Sequence, residues 1–388
     1  EFYSHIDEWW YNFCDDIHFN DVEDEKEKID KGSDRIKYNS DIAATYERIY
    51  EDYGESRFKN KATAVKYCYK FWDTEYYRLQ AVKDVKRINL CRDLFCPNCQ
   101  HNLSQEREQK YSPALDLLKK DFGVYHVTFT VPNCKGSELK ATINKMYSKF
   151  VYVNQYLQGK RKIKDIDLKY YGYAGNVRAL EVSVNRAKGT PDEYHPHFHC
   201  IFLMRKKLNL KKYIINRFSF DNTGKRSEPA KFSEFEIFLQ KLWYCLYEGI
   251  PATKKNVDNA DGYSVKVETC PKSRYHQVFK YAVGGLFKKG NLDILSNEND
   301  LYNLDNALHK RKMIQGYGAF RKLKFDDEEV ENEKDRIYEE IKSELLKWEE
   351  PVFAVQTLKE VQEDYEKHPE IKYISRNGIK VGKDDGKV

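Results

Sequence analysis

A chain of 388 residues is long enough for two or three modules, and its 40% hydrophobic and 33% charged residues fit a core-forming protein with no apolar run near the roughly 20 residues a membrane span needs. The net charge of +5 does not announce nucleic acid by itself; its distribution says more, because Lys and Arg concentrate in the middle while both ends carry acidic blocks. The 9 Cys are an odd number and four have metal-like spacing, which points to a reducing cytoplasm and away from secretion; no signal peptide is visible, and the absence of an initial Met reads as a fragment or an expression form.

Residues 1–65 read as an acidic, aromatic N-terminal extension, in which Trp9, Trp10 and Phe13 give a short helical stripe and 21–32 form a charged linker or helix. A cysteine module follows over 66–112. Cys91, Cys96 and Cys99 form C-x4-C-x2-C, Cys96-Pro97-Asn98-Cys99 is a tight knuckle, and Cys68 lies a hairpin's length upstream as a fourth ligand. Four thiolates closed around Zn2+ make a structural site with no open position for chemistry. Free buried cysteines or a disulfide are the alternatives, and His101 is too close to Cys99 for an easy fit.

Residues 103–120 read as a helix with Pro113 as a break point, and 124–131 as a strand ended by Pro132 and Asn133. A helix starts at Ser137, with Leu139, Ile143, Met146, Phe150 and Val153 on one face, and a basic segment occupies 160–169. The stretch 178–204, RALEVSVNRAKGTPDEYHPHFHCIFLM, then carries the strongest chemical signal. On a strand His197 and His199 share a face, and Phe198 turns to the opposite, buried side. An alternating run over 177–185 is the antiparallel partner, joined through Gly189, Pro191 and Asp192, and its Glu181 supplies an oxygen near the imidazoles. Two nitrogens and one carboxylate hold a divalent metal and leave coordination positions open. The bland alternative is a pair of hydrogen-bonded strand histidines; His195, before Pro196, is a further ligand or DNA-contact candidate.

Farther on, 208–218 reads as a basic helix, 232–246 as an amphipathic helix and 263–268 as an edge strand. Residues 273–287 read as a helix that sets Gln277 and Tyr281 one turn apart with Lys280 adjacent. A basic helix followed by a glycine turn is expected over 306–320, an acidic helix over 326–350, and a hairpin signal stands at Asn377-Gly378. No Walker-type glycine loop is present, so no built-in helicase is expected. The order strand, helix, strand, hairpin, strand over 113–325 gives an α+β class: a central antiparallel sheet with helices packed on it, a small zinc-knuckle module, and helical extensions at 1–65 and 326–388.

These segments, in this order over residues 68–320, resemble the HUH-endonuclease replication initiators of small rolling-circle plasmids, in the single-tyrosine branch. CRDLFCPNC resembles that family's CxxxxCPxC element, HVTFTVPN its first motif, RALEVSVN with HPHFHCIF its metal motif, QVFKYAV its tyrosine motif, and LHKRKMIQGYGAF the segment after it. The resemblance implies an RRM- or palm-like sheet with Mn2+ or Mg2+ on His197, His199 and Glu181. It makes Tyr281 the nucleophile and Lys280 a phosphate neighbour. Thr128, Thr130, Asn133 and Arg178 are candidate DNA contacts, and the basic runs 160–169, 206–212 and 310–312, with Lys310 and Arg311, are candidates for holding the duplex or hairpin beside the nick through phosphates. It implies origin DNA with a hairpin nick site as partner, host helicase and polymerase, a homodimer, no membrane and a cytoplasmic location. One departure stands out: where the family carries a Glu four residues before the tyrosine, this chain has Gln277, and an amide has no usable base. Glu268 or Tyr275 are alternative groups for the terminating step. Rival readings are an HUH-class single-strand transposase or relaxase, a non-catalytic zinc-containing DNA-binding protein, and a zinc hydrolase using the HxH pair.

Overall fold

The computed structural model describes residues 26–184, 193–220, 226–275, 294–322 and 327–378. The chain divides into two units, Glu1–Gln100 with Phe325–Val388, and His101–Lys324. Helices α1 (Lys26–Ile36), α2 (Asn39–Tyr53) and α3 (Ser56–Lys66) lead into a hairpin of β1 (Phe71–Tyr77) and β2 (Val82–Ile88), and α4 (Pro97–Leu118) begins at the cysteine knuckle. Then come β3 (Gly123–Thr130), the two-residue β4 (Cys134–Lys135), α5 (Gly136–Leu157), β5 (Tyr173–Val184) and β6 (Glu193–Met204). A second hairpin, β7 (Ile214–Phe220) with β8 (Arg226–Phe232), is followed by α6 (Glu234–Glu248), α7 (Lys254–Asn259), β9 (Val265–Thr269), α8 (Glu298–Leu308), β10 (Ile314–Gly318) and α9 (Ala319–Lys322). The last elements are α10 (Asp327–Leu346), β11 (Val352–Thr357), α11 (Leu358–Lys367) and β12 (Lys372–Ile374).

The second unit is built on an antiparallel sheet of order β10-β5-β6-β3-β9, with β4 also pairing β6. The most apolar strand, β6, takes the centre, because only there are both faces covered; every residue from Cys200 to Met204 is fully buried. One face packs on α5, whose Leu139, Ile143, Met146 and Phe150 are fully buried at the spacing of a single helical stripe. The Phe150 ring sits 5.3 Å from Phe129 of β3, 5.2 Å from Phe198 of β6 and 6.5 Å from Trp243 of α6. The sheet edge at β9 is sealed by α6: Glu236 accepts from the Val267 amide at 2.9 Å and Gln240 donates to the Val265 carbonyl at 3.1 Å. On the opposite sheet face an apolar cluster of Val124, Val177, Ala179, Ile201, Leu203 and Tyr275, joined by Leu115 of α4, covers one end.

In the first unit the cysteine hairpin is not a free-standing module. Its sheet has the order β11-β1-β2-β12, with β11 antiparallel to β1 and β12 parallel to β2. A two-stranded hairpin alone is marginal in water, and the C-terminal segment supplies the flanking strands. Leu358, Val361, Ile371 and Tyr373 from that segment share one core cluster with Ile29, Cys68, Trp72 and Val85. Residues 66–100 and 327–378 therefore fold together, where composition had suggested a cysteine module and a separate helical extension.

Three local readings differ from the structure. Residues 214–220 form a strand of the β7–β8 hairpin, not a helix; Ile214 and Ile215 are β-branched, and the partner strand is available only after the chain turns back. The basic helix expected over 306–320 stops at Leu308, Lys310 takes a left-handed φ of 55°, and 314–318 pair with β5. The glycines there serve strand approach, since a Cβ on Gly175 would meet the Tyr317 carbonyl oxygen at 2.4 Å. At Asn377-Gly378 the chain makes a 3-10 turn, because the preceding strand pairs in parallel with β2 and leaves no hairpin partner among the described residues. The helices expected over 137–153, 232–246 and 326–350 and the edge strand at 263–268 are all present within a few residues.

Phe150 joins both strands of the site to the helix layer, so Phe150→Ala is expected to cost about 3–5 kcal/mol, read as a lower denaturation midpoint of the purified chain.

Candidate metal centre and the sheet face around it

Strands β5 and β6 pair with Glu181 opposite His197 and Ala179 opposite His199. Directly opposed residues lie on the same face, so the carboxylate and both imidazoles converge there while Phe198 faces α5, fully buried. Glu181 Oε2 is 2.9 Å from His199 Nε2 and 3.5 Å from His197 Nε2. Bonds of about 2.0–2.2 Å from one cation to N and O ligands set neighbouring ligand atoms about 3 Å apart. The three atoms therefore fit one ion, as two His and one carboxylate on one side of it with the other positions open. The side chains of Glu181, His197 and His199 are 22%, 13% and 20% exposed, so a substrate oxygen can reach those positions.

The protonation pattern suits ligation. Burial would raise the Glu181 carboxyl, but hydrogen bonds with His197 and His199 outweigh it and hold the group well below the usual carboxylate range. His197 Nδ1 lies 3.1 Å from the His195 carbonyl oxygen, which can only accept, so Nδ1 donates there; a cation at Nε2 would take the place of the contact that this nitrogen makes with Glu181. His195 shares the face, with its ring 5.3 Å from that of His197, and burial first and His197 second lower its pKa. It stands outside the ligand group of Glu181, His197 and His199.

The four cysteines also converge. Cys68 Sγ is 3.5 Å from Cys99 Sγ and 3.6 Å from Cys96 Sγ, and Cys91 Sγ is 3.6 Å from Cys99 Sγ. A disulfide would bring sulfurs to about 2.05 Å, whereas thiolates about 2.3 Å from one tetrahedral ion stand a little under 4 Å apart. The spacing fits the ion and not the bond. The amides of Cys91, Arg92 and Asp93 donate to Cys68, Cys99 and Cys91 Sγ at 3.4, 3.3 and 3.4 Å, and such donors favour thiolate. Hydrogen bonds from Cys68 and Cys91 draw the Cys96 and Cys99 thiols below their ordinary range.

The other candidate residues separate by strand parity. Thr128 and Thr130 of β3 lie opposite His199 and His197, on the metal face. Thr130 Oγ1 donates to the Ser264 carbonyl at 3.0 Å, and Asn133 donates to Glu193 at 3.1 Å in an exposed position. Arg178 corrects the expectation of a DNA contact. It is an odd number of residues from Glu181, so it faces the helix layer, fully buried, with its guanidinium 3.9 Å from the Tyr147 ring centroid and 4.6 Å from that of Phe198. Arg311 is half-buried and donates to the carbonyls of Ala307 and Lys140, which ties α8 to α5; Lys310 is exposed. Glu268 lies on the metal face opposite His126, with Lys266 Nζ at 3.1 Å. Gln277, Lys280 and Tyr281 lie outside the described residues. The spacing of motifs gave no hint of His126, whose Nε2 is 3.0 Å from His199 Nδ1; the usable signal was a lone imidazole in an otherwise apolar run, in phase with Thr128.

Comparison with known proteins finds similar replication proteins. Residues 82–217 match a family model described as "Replication protein". The chain is 25% identical over 293 residues to "Protein rep" of Bacillus amyloliquefaciens, which covers 72% of this chain and 77% of that one. It is 26% identical over 297 residues to "Protein rep" of Bacillus sp, covering 73% and 85%, and 26% identical over 118 residues to "Protein rep" of Streptococcus pneumoniae serotype 2, covering 30% and 33%. No solved structure gives a significant match.

Tyr275 is 1% exposed within the apolar cluster of the metal face, and its hydroxyl has no hydrogen-bond partner among the described residues. Burial, with the Asp116 charge second, pushes the phenol up to about 12. The buried ring anchors the chain in this cluster. Tyr275→Phe is expected to leave stability unchanged or raise it by about 1 kcal/mol, since the variant no longer buries an unpaired hydroxyl; thermal denaturation checks this, and a large loss would reveal a partner for the hydroxyl.

Proposed function

We propose that this chain, which is similar over residues 82–217 to a family described as "Replication protein", is a plasmid rolling-circle replication initiator that nicks and rejoins single-stranded origin DNA through a 5′-phosphotyrosine intermediate. The observation that carries this reading is the convergence of one carboxylate and two imidazoles on an accessible sheet face. Glu181, His197 and His199 would hold Mn2+ or Mg2+, and the bound ion supplies Lewis-acid stabilisation for charge on the scissile phosphate. A pure DNA-binding module would need no such open ligand set. The cysteine cluster would hold Zn2+ with all four positions filled, a structural role.

The remaining chemistry falls to this chain's side chains. The Tyr281 phenolic oxygen forms a bond to phosphorus and the bond to the 3′ oxygen breaks, which leaves a 3′-hydroxyl for a polymerase. The phosphotyrosyl ester keeps the bond energy for resealing. Tyr281 follows Tyr275, which is buried on the metal face, by six residues. Lys280 balances phosphate charge. Thr128, Thr130, Asn133 and the exposed Lys310 contact the strand mainly through phosphates, which position without reading sequence. A host helicase and polymerase extend and unwind.

Incubation with single-stranded origin DNA and Mn2+ should produce a covalent adduct that mass spectrometry places on Tyr281, absent in Tyr281→Phe and in His199→Ala; an adduct elsewhere, or cleavage independent of Tyr281, removes the reading. Gln277 gives a second expectation. Its amide cannot take a proton from water, so the adduct should hydrolyse slowly in this chain, and Gln277→Glu should speed release by about 10²-fold or more, in the range of a general base. Equal release rates would assign termination to another group.

A further inference from the structure

The strand beside β6 carries a third imidazole on the metal face. His126 lies opposite Ile201 of β6 and Glu268 of β9, and it is 6% exposed. Its Nε2 is 3.0 Å from His199 Nδ1, the ring planes differ by 8°, and the centroids are 5.2 Å apart. That centroid separation is close to the N···N distance plus the two ring radii. The rings therefore meet edge to edge in a common plane, the geometry of a straight N–H···N hydrogen bond and not of a π stack.

One proton serves this bond, and its position decides whether His199 can be a ligand. A neutral imidazole has one N–H and one lone pair. With the proton on His126 Nε2, His199 accepts at Nδ1 and carries its own hydrogen on Nε2, the atom 2.9 Å from Glu181; no lone pair is left for a cation. With the proton on His199 Nδ1, Nε2 is free. His126 cannot join the ligand set through the same nitrogen, which is aimed at the far side of the His199 ring. The Thr128 hydroxyl also approaches His199 Nδ1, at 3.5 Å, and is the weaker neighbour.

We propose that His126 is a positioning residue that accepts the Nδ1 proton of His199 and thereby sets the tautomer and ring plane in which His199 offers Nε2 to the divalent cation. The proposal rests on the metal-site reading above. It sets the two ligands apart: His197 is oriented by a main-chain carbonyl, which no substitution removes, and His199 by a side chain, which one substitution does.

The test is Mn2+ binding to the full chain, by titration calorimetry, with circular dichroism to confirm folding. His126→Leu should weaken binding about 10–100-fold, the range for loss of a group that orients a metal-bound histidine. His126→Gln, whose amide oxygen reaches the position of Nε2 and accepts there, should recover most of the affinity. Long-range 15N NMR of the wild type loaded with diamagnetic Mg2+ should show His199 protonated at Nδ1 and His126 unprotonated at Nε2. Unchanged affinity in folded His126→Leu, equal losses in the Leu and Gln variants, or a His126 protonated at Nε2 in the Mg2+-loaded wild type overturns the proposal. If His126→Leu does not fold, the Gln variant and the wild-type spectrum decide. His197→Ala separates the two levels: wild-type binding that survives this substitution unchanged refutes the metal site itself, and this inference with it.

Discussion

Glu181 stands opposite His197 across the β5–β6 pair, and the site depends on that register. Side chains alternate faces along a strand, so a slip of one residue would send both imidazoles into the helix layer and bring Phe198 to the surface. The register is held from below and from the side. Phe198 is clamped against Phe150 of α5, Phe129 of the neighbouring strand packs against the same ring, and β3 pairs with β6 from Gly123 through Thr130. The metal face is itself divided: an apolar cluster with Tyr275 and Leu115 covers one end, and the polar group of Glu181, His197, His199 and Thr128 occupies the other. Apolar packing next to an accessible ligand set is the arrangement that keeps a constellation of side chains in place.

The cysteine unit solves a different problem. A short hairpin and a tight loop bury too little to fold by themselves. Four sulfurs drawn to one point, three of them met by main-chain amides in pairs fixed by the loop, supply a second source of order. The C-terminal strands supply a third, by turning two strands into four. The buried Asp84, hydrogen-bonded by Tyr338 at 2.5 Å, ties α10 to β2 in the same unit. The terminal segment is thus part of the scaffold that carries the thiolates.

Much of the site was legible because its determinants are local. A strand's period of two makes His197 and His199 neighbours whatever the rest of the fold does, and the C-x4-C-x2-C spacing brings three thiols together within one loop. Arg178 was misjudged for the complementary reason: a basic residue beside a motif looks like a phosphate ligand, yet its parity sends it inward, where Tyr147 and Phe198 rings stack on the cation. The readings of 208–218 as a helix and of 306–320 as a helix with a glycine turn failed at 214–218 and 314–318 because the partners that make these residues strands, β8 and β5, are reached only through tertiary contacts.

From the sequence alone came the α+β class, the central histidine strand, the carboxylate from its partner and the four-cysteine set, all governed by spacing within a few residues or by one hairpin. Only the tertiary structure decided that β3 borders β6 and lays His126 against His199, that the C-terminal segment completes the cysteine sheet, and that Tyr275 is buried on the metal face. Those are long-range pairings whose loop closures leave no periodic trace in the chain, so no reading of neighbouring residues reveals them.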